Sequence, residues 1–339
     1  MANIQLPKPS RLPVKQSDYF FNLRLTYDEL LTFEDIPVEA SQTRSARWTN
    51  STIQAAIQSM ANPQIPMSYL VELSSNDDLY QQFMPPNKVL SVDMYRKYCP
   101  KTTHLCGFLR KQNLMLQGFN QSWQSLPFRP YGGLSTWIYV ISGELEIYLI
   151  PATKLNLLRY SISRDFSSSE LDSFKMSSDT NLQLLDENTF LFIPAGYIIL
   201  VKATKNTFIL KSNYLDETCL VQQMVLFEFD TSQDGSLQSA WNRDIRSLYW
   251  FFAANIMADG SRNNLLNFDA ETLGVLRKLL TSWSQQDGLE KEQYVPNGLR
   301  SKTLLKSLKD HLYKRSKRAR KLQCEKELSS SSNNDMVDD

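Results

Sequence analysis

Two histidines, His104 and His311, are all the imidazole this 339-residue chain contains, and they lie about two hundred residues apart. Imidazole is the commonest side-chain ligand for transition metals and the usual proton shuttle near neutral pH. Chemistry that needs two convergent histidines therefore has little to draw on, and each is expected at the surface or in packing. The four cysteines, Cys99, Cys106, Cys219 and Cys324, are widely spaced with no CxxC pair. They suit a reducing compartment better than a disulfide scaffold, and Cys219 is expected to be buried and inert. The strongest local charge feature is KRSKRARK at 314–321. There Lys314, Arg315, Lys317, Arg318, Arg320 and Lys321 put six cations into eight residues. Such a cluster suits nuclear import or a weak phosphate contact with nucleic acid. The plainer alternative is a helix end whose cations complement the macrodipole, but six exceed what a helix end needs.

The elements that must position these residues change character along the chain. With 42% hydrophobic residues the sequence can bury the core of one large domain or two ordinary ones. It has 37 basic against 36 acidic residues, so any polyanion contact must come from a local cluster. No uncharged apolar run reaches the ~18 residues of a membrane span, and MANIQLPKPSRLPVKQ lacks the apolar stretch of a secretory signal. The expectation is a soluble intracellular protein without membrane contact. Residues 1–18 read as a disordered lead. From Tyr19 to about Gln58 the pattern reads as helical, with Thr49 or Asn50 as an N-cap, and IPMSYLVEL (65–73) reads as a strand.

The middle of the chain reads as β-structure. LSTWIYVISGELEIYLIPAT (134–153) is strand, turn at Gly143, strand, and TFLFIPAGYIILVKATKNTFILKSNYL (189–215) repeats the grammar with three strands. The polar stretch 161–181 between them is a long excursion or helical insert, and LVQQMVLFEF (220–229) is a further strand or the start of a helix. Short, closely spaced strands without βαβ alternation predict an antiparallel barrel or sandwich. After Asp230 the segments 237–257, 268–283 and 303–322 read as helices, with Asp269 near an N-cap. SSSSNNDMVDD is an acidic, serine-rich tail open to phosphorylation. The expected division is a mixed N-terminal segment over 19–120, a β core over 121–230, a helical subdomain over 231–325 and the tail over 326–339.

Taken together, FRPYGGLSTWIYVISGELEIYLIPATKLNL (128–157), IPAGYII (193–199) and Asn213-Tyr214-Leu215 resemble the JmjC domain of histone-lysine demethylases linked to F-box or PHD modules. VPNGLRSKTLLKSLKDHL (295–312) is similar to the helical tail of that subgroup. The resemblance covers roughly 65–312 and implies a mainly β fold with flanking helices: a double-stranded β-helix, or cupin-like barrel, plus a C-terminal helical subdomain. It also implies a nuclear protein. Members of the family hold Fe(II) with two histidines and a carboxylate and take 2-oxoglutarate through a lysine and a threonine.

Carried onto this chain, those positions are degenerate. The first histidine falls at Phe128, the carboxylate at Pro130 and the distal histidine at Ile199, and none of these side chains can ligate iron. The lysine falls at Leu145 and the threonine at Ser125. No catalytic residue, metal or cofactor is therefore expected, and the pocket reads as refilled with apolar atoms, which removes the cost of an unpaired buried charge. Arg129, the one charge inside the motif, should point away from the metal position by strand alternation, as a solvent-facing arginine or, less simply, as a cation standing in for iron. Glu144 is expected as an exposed turn carboxylate. Tyr131, Tyr139 and Tyr197 are candidate aromatic faces for a methylammonium group, with ordinary core packing as the plainer alternative. The resemblance points to a non-catalytic chromatin or transcription regulator whose partners are chromatin or histone-associated proteins. An active demethylase and a cupin-like small-molecule or peptide binding module are the alternatives.

Overall fold

The computed structural model describes residues 13–17, 37–42, 49–52, 67–73, 87–99, 114–162, 166–234, 240–258, 268–285, 295, 300–314 and 317. The chain forms two compact units, one of Met1–Lys97 with Gly107–Ser239, the other of Tyr98–Cys106 with Ala240–Asp339.

The first unit is built on β-branched and aromatic runs that pair antiparallel. Its strands are β1 (Val14–Ser17), β2 (Pro37–Gln42), β3 (Thr49–Thr52), β4 (Met67–Leu73), β5 (Leu114–Phe119), β6 (Ser135–Ser142), β7 (Glu144–Pro151), β8 (Asn181–Asp186), β9 (Thr189–Ile193), β10 (Tyr197–Ala203) and β11 (Thr207–Tyr214). Eight of them form one sheet in the order β1-β9-β6-β11-β5-β4-β2-β3, and three form a second in the order β10-β7-β8. Period-two alternation sends Ile138, Val140, Leu191, Ile193 and Ile209 of the large sheet and Leu145, Ile147, Leu149, Ile199 and Val201 of the small sheet into one shared apolar cluster. This is a β-rich arrangement consistent with a JmjC or cupin-like fold.

Two glycines fix turns on which that interior depends. Gly143, between β6 and β7, has φ +91°, and a Cβ there would stand 2.2 Å from the Asn206 carbonyl oxygen. Gly133 has φ +70°, and its Cβ would stand 2.7 Å from the Gln223 carbonyl oxygen. The outer side of the small sheet is covered by a second cluster in which Ile150, Ile198 and Leu200 meet Leu157, Leu171, Phe174 and Leu226. Those partners come from α3 (Lys154–Ile162), α4 (Ser168–Lys175) and α5 (Leu220–Asp234), after two short helices, α1 (Asn87–Leu90) and α2 (Met94–Tyr98). The start of α4 is fixed by a capping box between Ser167 and Glu170.

In the second unit α6 (Ala240–Ala258) and α7 (Ala270–Gln285) precede a helix over 301–314, here α8. Asp269 caps α7 by accepting from the Thr272 amide at 2.6 Å. Tyr249 and the Arg246 guanidinium pack on Trp283, and Leu304 and Leu308 of α8 are buried. No described helix is long and apolar enough to cross a membrane.

Several sequence expectations fail here. Residues 14–17 are not a disordered lead, because Val14–Ser17 pairs with Phe192–Thr189 of β9. Within the region read as helical, 37–42 and 49–52 are strands: hairpin pairing of β2 with both β3 and β4 overrides the local helical pattern. Thr49 and Asn50 are therefore strand residues and not an N-cap. The β core does not begin at 121, since β4 and β5 belong to the same sheet as β6 and β11. Two readings left open are decided without conflict: the segment 220–229 is the start of a helix, and the polar stretch 161–181 holds the helical insert α4 between the end of α3 and the start of β8. Residues 326–339, the segment TYDELLTF and His104 lie outside the described residues.

Candidate functional site

The segment before β6 lies along β10. Ser125 donates its amide to the Val201 carbonyl at 2.8 Å, and its Oγ accepts from the Val201 amide at 2.9 Å. Three residues further on, Phe128 and Ile199 exchange both backbone hydrogen bonds, at 2.9 and 2.7 Å. Three residues on one side thus span two on the other, and the Ser125 hydroxyl completes the ladder across this irregularity. A hydroxyl at 125 is committed to backbone.

Phe128 and Ile199 are direct neighbours, and both pack into the interior cluster with Leu145. Leu145 pairs with Ala203 on one side and Leu185 on the other and is fully buried. Pro130 is outside that cluster: it precedes the tight turn Tyr131–Gly133 with extended backbone. Sequence reasoning expected four positions in one apolar spot, and three of them meet there. Among the described residues no three His, Cys, Asp or Glu side chains come close enough to hold a metal ion.

Arg129 turns to the opposite side, as alternation requires, but it does not face solvent. Its side chain is 5% exposed and forms a two-pronged ion pair with Asp230 of α5, one arm at 3.1 Å. The rings of Tyr160 and Phe229 flank the guanidinium at 5.9 and 5.5 Å. Asp230 also accepts from the Gly132 amide at 2.7 Å. The turn Tyr131-Gly132-Gly133 is thus pinned to α5 by a carboxylate and by the close approach at Gly133. That packing explains the paired glycines without any metal. The expectation of a solvent-facing arginine is overturned because α5 supplies a buried counterion that local alternation cannot reveal.

One charged group does lie on the interior face. Ile209 of β11 belongs to the interior cluster, so Lys211 and Asn213 share its face. The Lys211 ammonium stands 5.5 Å from the Phe128 ring centroid, with no acid or hydrogen-bond partner among the described residues. Burial pushes its pKa down to about 8. Lys211 and Phe128 are each only half-buried, so this end of the interior reaches solvent. The reading of a wholly apolar, refilled pocket is corrected accordingly. The signal was present in the sequence: Lys211 stands two residues before Asn213 of the quoted Asn213-Tyr214-Leu215, on the inward parity.

The remaining candidates are distributed elsewhere. Tyr197 lies in the interior cluster, and burial raises its pKa, with the Cys219 sulfur adding to the effect. Tyr139 lies on the other face of β6, stacked on Phe190 and donating to the Asn188 side chain at 2.9 Å. Tyr131 opens the tight turn. Tyr139 and Tyr197, on opposite faces, do not form one aromatic cage. Glu144 is partly exposed and tied to Lys205 at 2.9 Å and Thr204 at 3.0 Å; the Lys205 contact chiefly lowers its pKa. Cys219 is buried. His311 is half-buried on α8. Of the basic cluster, Lys314 and Lys317 are exposed, while Arg315, Arg318, Arg320 and Lys321 lie outside the described residues.

The antiparallel sheets and flanking helices are consistent with a β-rich JmjC or cupin-like fold. No family model matches the chain. Over 258 residues it is 23% identical to lysine-specific demethylase 7A of Homo sapiens, covering 71% of this chain and 25% of that protein. It is 24% identical to lysine-specific demethylase 7A of Danio rerio over 203 residues, 58% of this chain and 23% of that protein. The lysine-specific demethylase 7B of Danio rerio is 25% identical over 206 residues, 58% of this chain and 35% of that protein. The chain thus spans about a quarter to a third of the length of these curated relatives. This distant similarity supports a relationship to the JmjC demethylase-like family.

Proposed function

We propose that this chain is a non-catalytic JmjC-type pseudo-demethylase, a degenerate double-stranded β-helix with a C-terminal helical subdomain, acting in the nucleus as a chromatin or transcription regulator. One observation carries the reading. Phe128 and Ile199, at the positions of the two iron-binding histidines in the resemblance, are hydrogen-bonded neighbours whose side chains enter one apolar cluster with Leu145. An Fe(II) centre needs nitrogen or oxygen donors converging on one point, and Phe128, Pro130 and Ile199 supply none, so the residues present do not fit the metal. Leu145 likewise offers nothing to the distal carboxylate of 2-oxoglutarate, and the Ser125 hydroxyl is engaged by backbone. No catalytic step is derived through either group.

A scaffold of this kind acts through its surfaces. Its partners are chromatin or histone-associated proteins, and the basic run that Lys314 begins serves nuclear import or a weak contact with nucleic acid. The test is calorimetric titration with Mn(II), a redox-inert surrogate for Fe(II), and with 2-oxoglutarate, each alone and together. The expected result is no stoichiometric metal binding and no metal-dependent 2-oxoglutarate binding. Stoichiometric binding of both would establish the active demethylase in its place. Affinity purification from nuclei is expected to recover histone-associated proteins, and failure to do so removes the scaffold role. A second reading, a cupin-like small-molecule binding module, is favoured by the half-buried Lys211 at the open end of the interior.

A further inference from the structure

A lysine held against an aromatic ring, away from any acid, is costly unless something fills the place of its missing counterion. The contrast inside this unit is direct. Arg129, adjacent to Phe128 in sequence, is paired through both arms. Lys211, over the Phe128 ring on the inner side, has that ring as its one partner among the described residues. Its strand neighbours in register are Ile138 of β6 and Met115 of β5, neither of which can neutralise a charge. Asn213, two residues on along the same face and half-buried, brings an amide to the same end of the interior.

We propose that Lys211 anchors a binding site for a small monocarboxylate at the open end of the interior between the two sheets. The ammonium takes the carboxylate as a point charge, Phe128 supplies an apolar wall, and Asn213 supplies hydrogen-bonding capacity. A single ammonium matches a single negative charge. Phosphate and sulfate bring a second charge for which this face has no second cation among the described residues, so carboxylate is favoured. The occupant is a free small molecule, and the site stands whether or not the chain acts on chromatin.

Two other titratable groups belong to the surroundings. Tyr197 faces the interior from β10. Glu72 of β4 shares a row of the large sheet with Met115 and Lys211, two strands away from the lysine. Tyr197, raised by burial, stays neutral between pH 7.0 and 9.5 and so does not mimic loss of the Lys211 proton.

The experiment titrates the full chain with acetate and with benzoate, without metal, following melting temperature and heat of binding at pH 7.0 and 9.5. Inorganic phosphate is the control. Wild-type protein is expected to bind the carboxylates at pH 7.0 and to lose about thirtyfold in affinity at pH 9.5, where most of the ammonium is deprotonated. Lys211→Met is expected to lose binding at both pH values. Lys211→Arg keeps its charge at pH 9.5 and is expected to bind equally at both, which decides the matter even if the methionine variant folds poorly. Failure of acetate and benzoate to bind wild-type protein overturns the proposal, as does carboxylate binding that is unchanged in Lys211→Met or independent of pH in the wild type. Equal or tighter phosphate binding overturns the carboxylate assignment. Because no metal is present, these outcomes leave the pseudoenzyme reading to its own titration, and any metal-independent 2-oxoglutarate binding seen there is expected to vanish in Lys211→Met.

Discussion

Arg129 follows Phe128 in the chain and turns to the outer side, whereas Lys211 stands over the Phe128 ring on the inner side; among the described residues only Arg129 has a counterion. On the outer side α5 brings Asp230 to Arg129 and ties the same carboxylate to the Gly132 amide. On the inner side Lys211, carried by the large sheet, has the Phe128 ring as its one partner among the described residues. The difference shows where this fold uses charge to hold itself together and where it tolerates charge at a cost. The outer pair is structural: it fixes the turn that carries the glycines and seats it on α5. The inner lysine stabilises nothing within the described residues, which is why it is the place to look for a ligand.

The comparison breaks most sharply at Asp230. Asp230→Ala leaves the Arg129 guanidinium buried without its acid and removes the acceptor of the Gly132 amide. The expected loss is about 3–5 kcal/mol, the range for opening a buried ion pair from one side, read by urea denaturation. The double variant Arg129→Met with Asp230→Leu is expected to recover much of that loss, because an apolar pair of similar volume carries no uncompensated charge. If the single change costs under ~1 kcal/mol, the ion pair is not what holds the turn.

Lys211 should behave in the opposite sense. Its ammonium is favoured when unfolded, near pKa 10.5, and disfavoured when folded, near 8. Between those values the unfolded chain binds more protons, so this group makes stability rise with pH across the window. Below about pH 8 both states are protonated and the penalty is complete. Lys211→Met is therefore expected to stabilise the protein at pH 7 by about 2 kcal/mol, with the advantage shrinking to nothing by pH 10.5. Denaturation at pH 7, 9 and 10.5 measures it. A methionine variant less stable than wild type at pH 7 means the lysine has a partner after all.

How these two cations differ was only partly legible in the sequence. Alternation correctly turned Arg129 away from the interior, and the same rule applied to Ile209 and Asn213 puts Lys211 inside. Alternation cannot supply the partner, because Asp230 is 101 residues away on a helix that equally reads as a strand. The central hairpins were readable because turn chemistry and strand period agree: Gly143 permits a turn that no other residue fits, and the arms around it alternate. The N-terminal strands were not, because β2 and β3 are short, polar segments that exist through pairing with β4 and not through their own pattern. The candidate site followed the same division. Phe128, Leu145 and Ile199 were placed by ordered motifs, whereas Pro130 fell outside the cluster because a tight turn begins there.

Ser125 is a neutral version of the paired group. Its Oγ accepts from the buried Val201 amide, so Ser125→Ala leaves a backbone donor without its acceptor, at an expected cost of about 1–2 kcal/mol. Ser125→Thr is expected to keep the acceptor and most of the stability. Amide exchange at Val201 is the specific readout: it should quicken in the alanine variant and remain slow in the threonine one. Equal protection in both would place the support for this strand irregularity in the backbone alone.

The smallest effect belongs to the pair in water. Lys205 and Glu144 meet at 2.9 Å across the turn that closes β10 on β11, and the ammonium lowers the carboxylate pKa. That pairing is a single ammonium contact without the two prongs or the burial of the Arg129 pair, with Lys205 68% and Glu144 38% exposed. In water each ion keeps most of its hydration and the attraction is screened. The β6–β7 turn at Gly143 is held against the β10–β11 turn instead by the Thr207 hydroxyl, which accepts from the Glu144 amide at 2.9 Å. Lys205→Ala is therefore expected to leave the denaturation midpoint unchanged within error at 0.15 M salt, while the Glu144 carboxyl resonance titrates at higher pH. A clear loss of stability would mean that exposure does not separate this pair from the one at Asp230, and that burial is the wrong axis for comparing the two.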